Sequence, residues 1–458
     1  MAAEEPRAAR PALVLALAAG AAFMAFMDAT VVNIAFPALH ASFRAASLSG
    51  LSWVINAYGI TFAGLLAPAG RLADVLGRRT SFLLAVGAFT VASAACAVAP
   101  DLLFLIVSRA VQGLSAAGMI PAALALILAE TPAERRTRAL GVWGAAGSVA
   151  AAAGPAVGGA LVDLFDWRAA FVVNVPVGVA LVVTGTRVLP GDRQRGGRLP
   201  DPFGYLGAIL GLGLVVLGLT EGPAWGWNSA ATIASLIGGA AVSAVSVLRS
   251  RHHPAPALDV DLWRDRTFRT ANLATLMVGA AMFGRLLSGP LFLTSVWHYS
   301  VWRAGLAVTP GPLATAVTAY WAGRRATAGG QRAAIGTGML IYAASAAWLG
   351  VAISDRPAFL AVWLPTTTLG GAGLGIAATG LSVTVARSVA AGKYAAGTGL
   401  NTAARQVGGA LGVAGISVIL SGATTASAAA FRWVFLLVGL IALLSAAVGA
   451  RLPGRAAH

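Results

Sequence analysis

Gly70-Arg71-Leu72-Ala73-Asp74-Val75-Leu76-Gly77-Arg78-Arg79 stands between two apolar runs, Leu51–Ala69 and Thr80–Ala99. Each run is long enough to cross a bilayer, which takes about 20 mostly apolar residues. Three arginines and an aspartate in ten residues are conspicuous in a chain that is 10% charged. Its glycines permit a tight reversal, so the stretch reads as a charged loop between two membrane helices. That reading decides the fold only if the rest of the chain alternates in step with it.

It does. The chain has 458 residues, 58% of them apolar, and a mean hydropathy of +0.80. Soluble domains carry about 25% charged residues, so a soluble fold here would lack the polar surface to cover itself. Fourteen segments have membrane-spanning length and composition: Ala12–Phe36, Leu51–Ala69, Ser81–Ala99, Leu102–Leu128, Ala139–Val162, Ala170–Leu189, Phe203–Thr220, Ala230–Leu248, Thr270–Leu293, Leu306–Ala322, Ala334–Ile353, Phe359–Val385, Thr398–Leu420 and Arg432–Ala450. Of the 32 basic residues, 24 fall on one set of loops and termini, 5 on the opposite set, and Arg109, Arg285 and Arg405 lie within segments. The positive-inside rule then puts both termini in the cytoplasm. Trp225, Trp227, Trp297 and Trp302 are expected at the outer interface, where amphipathic rings belong.

The net charge of +16 is spread over short loops and does not form the single patch that nucleic acid requires. The only cysteine, Cys96, lies inside an apolar run, so no internal disulfide forms. No P-loop and no His/Cys cluster is present, so neither a nucleotide nor a metal cofactor is expected. The first apolar run carries Asp28 and reads as an uncleaved first helix.

The chain also repeats itself. Gly323–Arg332 aligns without gaps with Gly70–Arg79 and keeps the first Gly-Arg pair, the alanine, the later glycine and the last arginine, with Thr327 in place of Asp74. Trp167-Arg168-Ala169-Ala170-Phe171 and Phe431-Arg432-Trp433-Val434-Phe435 mark the sixth and fourteenth segments. Internal repeats are a hallmark of transporter folds. The expected domains are a six-helix half over 1–190, linkers with two inserted helices over 191–268, and a second six-helix half over 269–458.

Three runs inside segments carry chemistry. Asp28, in Met27-Asp28-Ala29-Thr30-Val31-Val32-Asn33, is the only acidic residue well inside any segment. A charge there costs about 2.5–3.5 kcal/mol on insertion scales, so it defaults to a functional role. At 1.5 Å per residue, Asp28 lies roughly 24 Å from the cytoplasmic start of its segment and Arg109 roughly 20 Å from the same side, so the two could pair. Gln112 lies one turn beyond Arg109. Gly147, Gly154, Pro155, Gly158 and Gly159 recur at small-residue spacings that let helices pack closely, and Pro155 adds a bend. Arg285, followed by Gly289-Pro290, and Arg405 are mid-segment, yet from Thr270 onward the only acidic residue is Asp355. Arg285 is expected either to bond carbonyls freed by Pro290 or to face the central cavity and meet an anionic group.

These runs resemble the major facilitator superfamily, and in it the fourteen-helix drug:proton antiporter-2 group. Gly70–Arg79 resembles the superfamily's loop between helices 2 and 3. The Asp28 run resembles the first-helix motif of the fourteen-helix antiporters. Gly147 to Gly159 resembles the antiporter motif. The resemblance implies an all-α polytopic membrane protein, with two six-helix halves and two additional helices, working by alternating access. It implies that Gly70, Arg71, Asp74, Gly77, Arg78 and Arg79 form a conformational latch and that Asp28 and Arg109 couple protons to transport. Gln112, Arg285 and Arg405 are cavity candidates. The expected function is proton-coupled efflux of drugs or other small amphipathic molecules by a monomer in the cell membrane. Two alternatives stay open: a dedicated exporter of one endogenous metabolite or lipid, possibly anionic, and a non-transporting receptor or scaffold.

Overall fold

The computed structural model describes residues 9–191, 201–254, 256, 260–324, 330–389, 394–421 and 427–452. Sixteen α-helices and no strand occur among them. In chain order they are α1 Ala9–Ser42, α2 Leu48–Leu76, α3 Arg78–Ala97, α4 Leu102–Glu130, α5 Ala133–Leu164, α6 Ala169–Val172, α7 Asn174–Val188, α8 Pro202–Trp225, α9 Ala230–His252, α10 Arg266–Ser295, α11 Val301–Val308, α12 Pro310–Arg324, α13 Gln331–Ala352, α14 Leu364–Arg387, α15 Tyr394–Ser421 and α16 Ala428–Gly449. In hydrocarbon every backbone N–H and C=O must be satisfied within the chain, and helices do this segment by segment. Side-chain caps close several starts: Ser47 accepts from Gly50 N at 3.0 Å, Asp101 from Phe104 N at 2.8 Å, and Asp265 from Phe268 N at 2.6 Å. Each such cap is worth about 1 kcal/mol.

Among the described residues thirteen helical stretches are long and apolar enough to cross a membrane, α6 and α7 together making one of them. The fourteenth expected segment, Leu306–Ala322, is present but broken into α11 and α12. Pro310 has no N–H to donate and its ring crowds the preceding turn. The decapeptide at 70–79 also differs from expectation. Gly70 to Leu76 forms the last two turns of α2, and the whole reversal is one residue, Gly77, at φ 97°. Leu72, Ala73 and Leu76 are good helix formers, and a left-handed glycine suffices to start α3 at Arg78. In the second copy, Gly323 and Arg324 end α12 while 325–329 lie outside the described residues.

Helices α1 to α7 pack chiefly on one another, as do α10 and α12 to α16, while α11 packs chiefly on α5. The two groups meet where α2 lies on α15 and where α5 lies on α11 and α12. Helices α8 and α9 form a hairpin that leans on both α2 and α15. The first group's core holds Met24, Phe82, Phe89, Met119 and Leu126. The second is centred on Phe292, whose ring lies 5.1 Å from Trp297, 5.9 Å from Trp363 and 5.3 Å from Phe431. Aromatic pairs of this kind add roughly 0.5–1.5 kcal/mol beyond their area. Trp297 therefore departs from expectation. It is buried and donates its indole N–H to Ser354 O at 2.9 Å, whereas Trp225, Trp227 and Trp302 are well exposed. Trp167, Phe171, Phe431 and Phe435, the sequence marks of the repeat, are all core residues.

Candidate functional site

Asp28 sits mid-way along α1 with its side chain fully shut off from solvent. Arg109, on α4, donates from Nη1 to Asp28 Oδ2 at 2.6 Å. Gln112, one turn further along α4, donates from Nε2 to Asp28 Oδ1 at 2.8 Å. Asn174, the first residue of α7, donates from Nδ2 to the same oxygen at 2.9 Å. Three donors thus converge on the two oxygens of one carboxyl group. The depth argument from sequence placed Asp28 and Arg109 at one level, and the fold brings them together.

A second ring holds the donors. Gln112 Nε2 also donates to Ser93 Oγ at 2.7 Å, and Gln112 Oε1 accepts from Arg109 Nη1 at 2.6 Å and from Cys96 Sγ at 3.7 Å. Asn174 Nδ2 reaches Ser93 Oγ at 3.2 Å. Arg109 Nε donates to the Val54 carbonyl of α2 at 3.0 Å, and its guanidinium lies 4.3 Å from the Tyr58 ring centroid. Five helices, α1, α2, α3, α4 and α7, therefore fix one ion pair. Removing one member of a buried pair typically costs about 3–5 kcal/mol because the other charge is left unpaired. Sequence reasoning named Asp28, Arg109 and Gln112 but gave Ser93, Cys96, Tyr58 and Asn174 no role in the site. A polar residue inside an apolar run was the available signal, but several such residues do not join the network.

Arg109 borders a cavity of about 30 Å³ between the two helix groups. Asn56, Tyr58 and Arg109 line it on one side and Phe283, Gln406 and Ala410 on the other. The space is of the order of one or two water molecules. Asn56 is 1% exposed, and neither atom of its amide has a hydrogen-bond partner. A larger cavity, about 300 Å³, lies away from the pair between α12, α13 and α14, and among the described residues no charged side chain lines it.

The glycines of α5 are divided between two neighbours. A Cβ on Gly147 would stand 2.8 Å from Phe26, and one on Gly158 2.8 Å from Val31; Gly154 lies against Thr30. These three pack on α1, within the first group. Gly159 faces the second group, where a Cβ would stand 2.9 Å from Val301 O, and Gly305 of α11 lies against the Pro155 carbonyl. So Pro155 and Gly159 form a backbone-to-backbone seam between the groups.

At the decapeptide, Arg78 is exposed and Arg79 donates to Thr186 O of α7 at 2.7 Å. The side chains of Arg71 and Asp74 lie outside the described residues. Among the described residues Arg285 bonds neither a carbonyl nor a carboxylate. Its Nη1 and Nη2 are buried without a hydrogen bond, while Asp28 is fully engaged in the other group. Arg405 makes no ion pair among the described residues.

Comparison with known proteins fits this architecture. Residues 18–413 match the family model of the Major Facilitator Superfamily. The chain is 33% identical over 401 residues to Multidrug resistance protein Stp of Mycobacterium tuberculosis, covering 87% of this chain and 74% of the relative. It is 34% identical over 425 residues to Cephamycin export protein CmcT of Amycolatopsis lactamdurans, covering 91% and 86%. Among solved structures, a bacterial homologue of the human lysosomal transporter Spinster superposes with a TM-score of 0.69 at 16% identity, covering 98% of this chain and 97% of that one. A fold of membrane-crossing helices around a buried ion pair, with relatives named for resistance and export, is that of a transporter and not of an enzyme: the chain belongs to the major facilitator superfamily.

Proposed function

We propose that the protein exports small amphipathic molecules, drugs among them, in exchange for protons, as a monomer in the cell membrane with both termini in the cytoplasm. The observation that carries the reading is Asp28, a carboxyl group buried mid-helix with three donors on it, one of which, Arg109, lines a small cavity. Such a group is costly in lipid and is retained for ion or proton traffic. The excess of arginine on the loops that share a side with the termini supports the orientation.

In this reading residues 1–190 and 269–458 are the rocking bodies, and 191–268 carries the inserted pair. Asp28 takes the proton. Arg109 and Gln112 hold its charged form and are released when it is neutralised. The small-residue seam at Pro155 and Gly159 lets the bodies separate without unpacking large side chains. Gly70, Arg71, Asp74, Gly77, Arg78 and Arg79 form a cytoplasmic latch hinged at Gly77. One proton crossing about 100 mV supplies about 2.3 kcal/mol, roughly a 50-fold concentration ratio.

The test is Asp28→Asn in proteoliposomes with an imposed pH gradient, using ethidium as the reporter substrate. Gradient-driven efflux is expected to vanish while gradient-free exchange survives. Undiminished gradient-driven efflux in the variant sinks the role of Asp28.

A further inference from the structure

Arg285 lies mid-way along α10, the first helix of the second group. Both of its terminal nitrogens are closed off from solvent, and neither has a hydrogen-bond partner. Among the described residues it makes no ion pair. From Thr270 onward the only acidic residue is Asp355, and its Oδ1 already accepts from Ala428 N at 2.9 Å. The nearest ring, Tyr342, is 5.9 Å from the guanidinium carbon, and its hydroxyl is spent on Ala281 O at 3.2 Å. An unpaired guanidinium in a low-dielectric interior is heavily penalised.

A glycine lets the facing helix approach the guanidinium closely. On α14, Gly370 faces the guanidinium, and a Cβ there would stand 3.7 Å from both Cζ and Nη1 and 2.8 Å from Ser345 Oγ. One turn earlier on α14, the Thr367 hydroxyl is a second buried polar group with no partner. Arg405 adds another positive charge in the same helix group with no ion pair among the described residues. The first group, by contrast, cancels its buried charge internally through Asp28 and Arg109.

We propose that Arg285 is the anchor of a substrate site for organic monoanions, a carboxylate on an apolar body, held between α10, α13 and α14. The fork of Nη1 and Nη2 matches a carboxylate bidentately. A single anchoring guanidinium, with no second cation bonded beside it, suits one negative charge better than the two of a phosphate monoester. The inference rests on the export reading above and adds organic monoanions to its substrates.

The experiment uses the full chain in lipid nanodiscs and scintillation-proximity binding of radiolabelled benzoate, 1-naphthoate and 4-phenylbutyrate, with 4-phenylbutyltrimethylammonium as the cationic control. The wild type is expected to bind at least one carboxylate saturably. Arg285→Gln should weaken that binding tenfold or more, Arg285→Lys should recover part of it, and the cation should be indifferent to both. Melting temperature separates this from a structural role: removing an uncompensated charge leaves it unchanged or raises it. No saturable carboxylate binding by the wild type, undiminished binding in Arg285→Gln, or a lowered melting temperature in that variant overturns the site. The same protein in vesicles with a pH gradient distinguishes the two readings. Carboxylate binding without gradient-driven movement keeps the site and ends the efflux reading. Efflux of the cation without carboxylate binding keeps efflux and ends the site.

Discussion

In the first half of the molecule the charge on α1 meets a partner at every available atom: Asp28 takes Arg109 at 2.6 Å and the amides of Gln112 and Asn174 within 2.9 Å. In the second half the charge on α10 meets none, because Arg285 Nη1 and Nη2 have no hydrogen bond. The two helices hold the same ordinal place in a repeated architecture. The repeat is therefore kept in its packing and abandoned in its chemistry. Phe171 and Phe435 are both core residues, yet the acidic partner exists in one half alone. A closed ion-pair network is stable without a ligand. An unmatched charge is stable only when something brings the opposite sign.

The sharpest way to break this comparison is to neutralise each arginine and read stability. Arg109→Gln leaves Asp28 buried without its cation, and unfolding free energy should fall by about 3–5 kcal/mol. Arg285→Gln removes an unpaired charge and should leave stability level or raise it. Thermal and denaturant unfolding in one detergent compare the two directly, and a fall of similar size in both variants would make the halves alike. The double variant Asp28→Asn, Arg109→Gln should recover part of the loss, since neither remaining group is charged.

Much of this was legible before the structure. Length and hydropathy placed thirteen of the expected segments, since a membrane allows few alternatives to helices of one length. Counting rise per residue put Asp28 and Arg109 at one depth. Which residues face one another was not legible, because that depends on how each helix is rotated against its neighbours. Ser93 is one small polar residue among several in its segment, and nothing in the sequence singles it out as the group that braces Gln112 and Asn174. The interface at Trp297 was misjudged for a related reason. A tryptophan near a helix end suits a lipid headgroup or an aromatic core equally well, and the ring of Phe292 decides it. The decapeptide misled because Gly, Asp and Arg read as a loop, whereas one left-handed glycine was enough to turn the chain.

Two smaller effects sharpen the contrast. Gly159→Leu drives a side chain into the backbone of Val301 and Trp302, where it has 2.9 Å and 3.1 Å to the nearest atoms even at Cβ. Overpacking of this kind costs about 1–3 kcal/mol, and here it should also bias the bodies apart. Cross-linking yield between cysteines placed on α5 and α11 should fall. Asn174→Ala removes one of the two donors to Asp28 Oδ1 and should cost about 1–3 kcal/mol, less than loss of Arg109 because the charge pair survives. A loss as large as that of Arg109→Gln would mean that the amide, and not the ion pair, carries the site.

The smallest effect concerns an ion pair outside the membrane interior. At the base of the inserted hairpin, Asp201 accepts from Arg249 Nε at 2.6 Å and Nη2 at 3.0 Å, with the carboxylate enclosed but the arginine side chain 42% exposed. The hydrogen bonds from Arg249 hold the Asp201 carboxyl below the usual carboxylate range, against the opposing effect of burial. A carboxyl whose folded-state value is lowered adds stability that is fully present above its unfolded value, about 3.9, and is lost as pH falls through the folded value. Asp201→Asn should therefore melt below the wild type at pH 7. The gap should stay level down to about pH 4 and close below it. Because water reaches Arg249, added salt should narrow the gap at pH 7 as well, whereas the Asp28–Arg109 pair, enclosed on both sides, should not respond. A gap that persists unchanged to pH 3 would assign the effect of Asp201 to its position at the start of α8 and not to its charge.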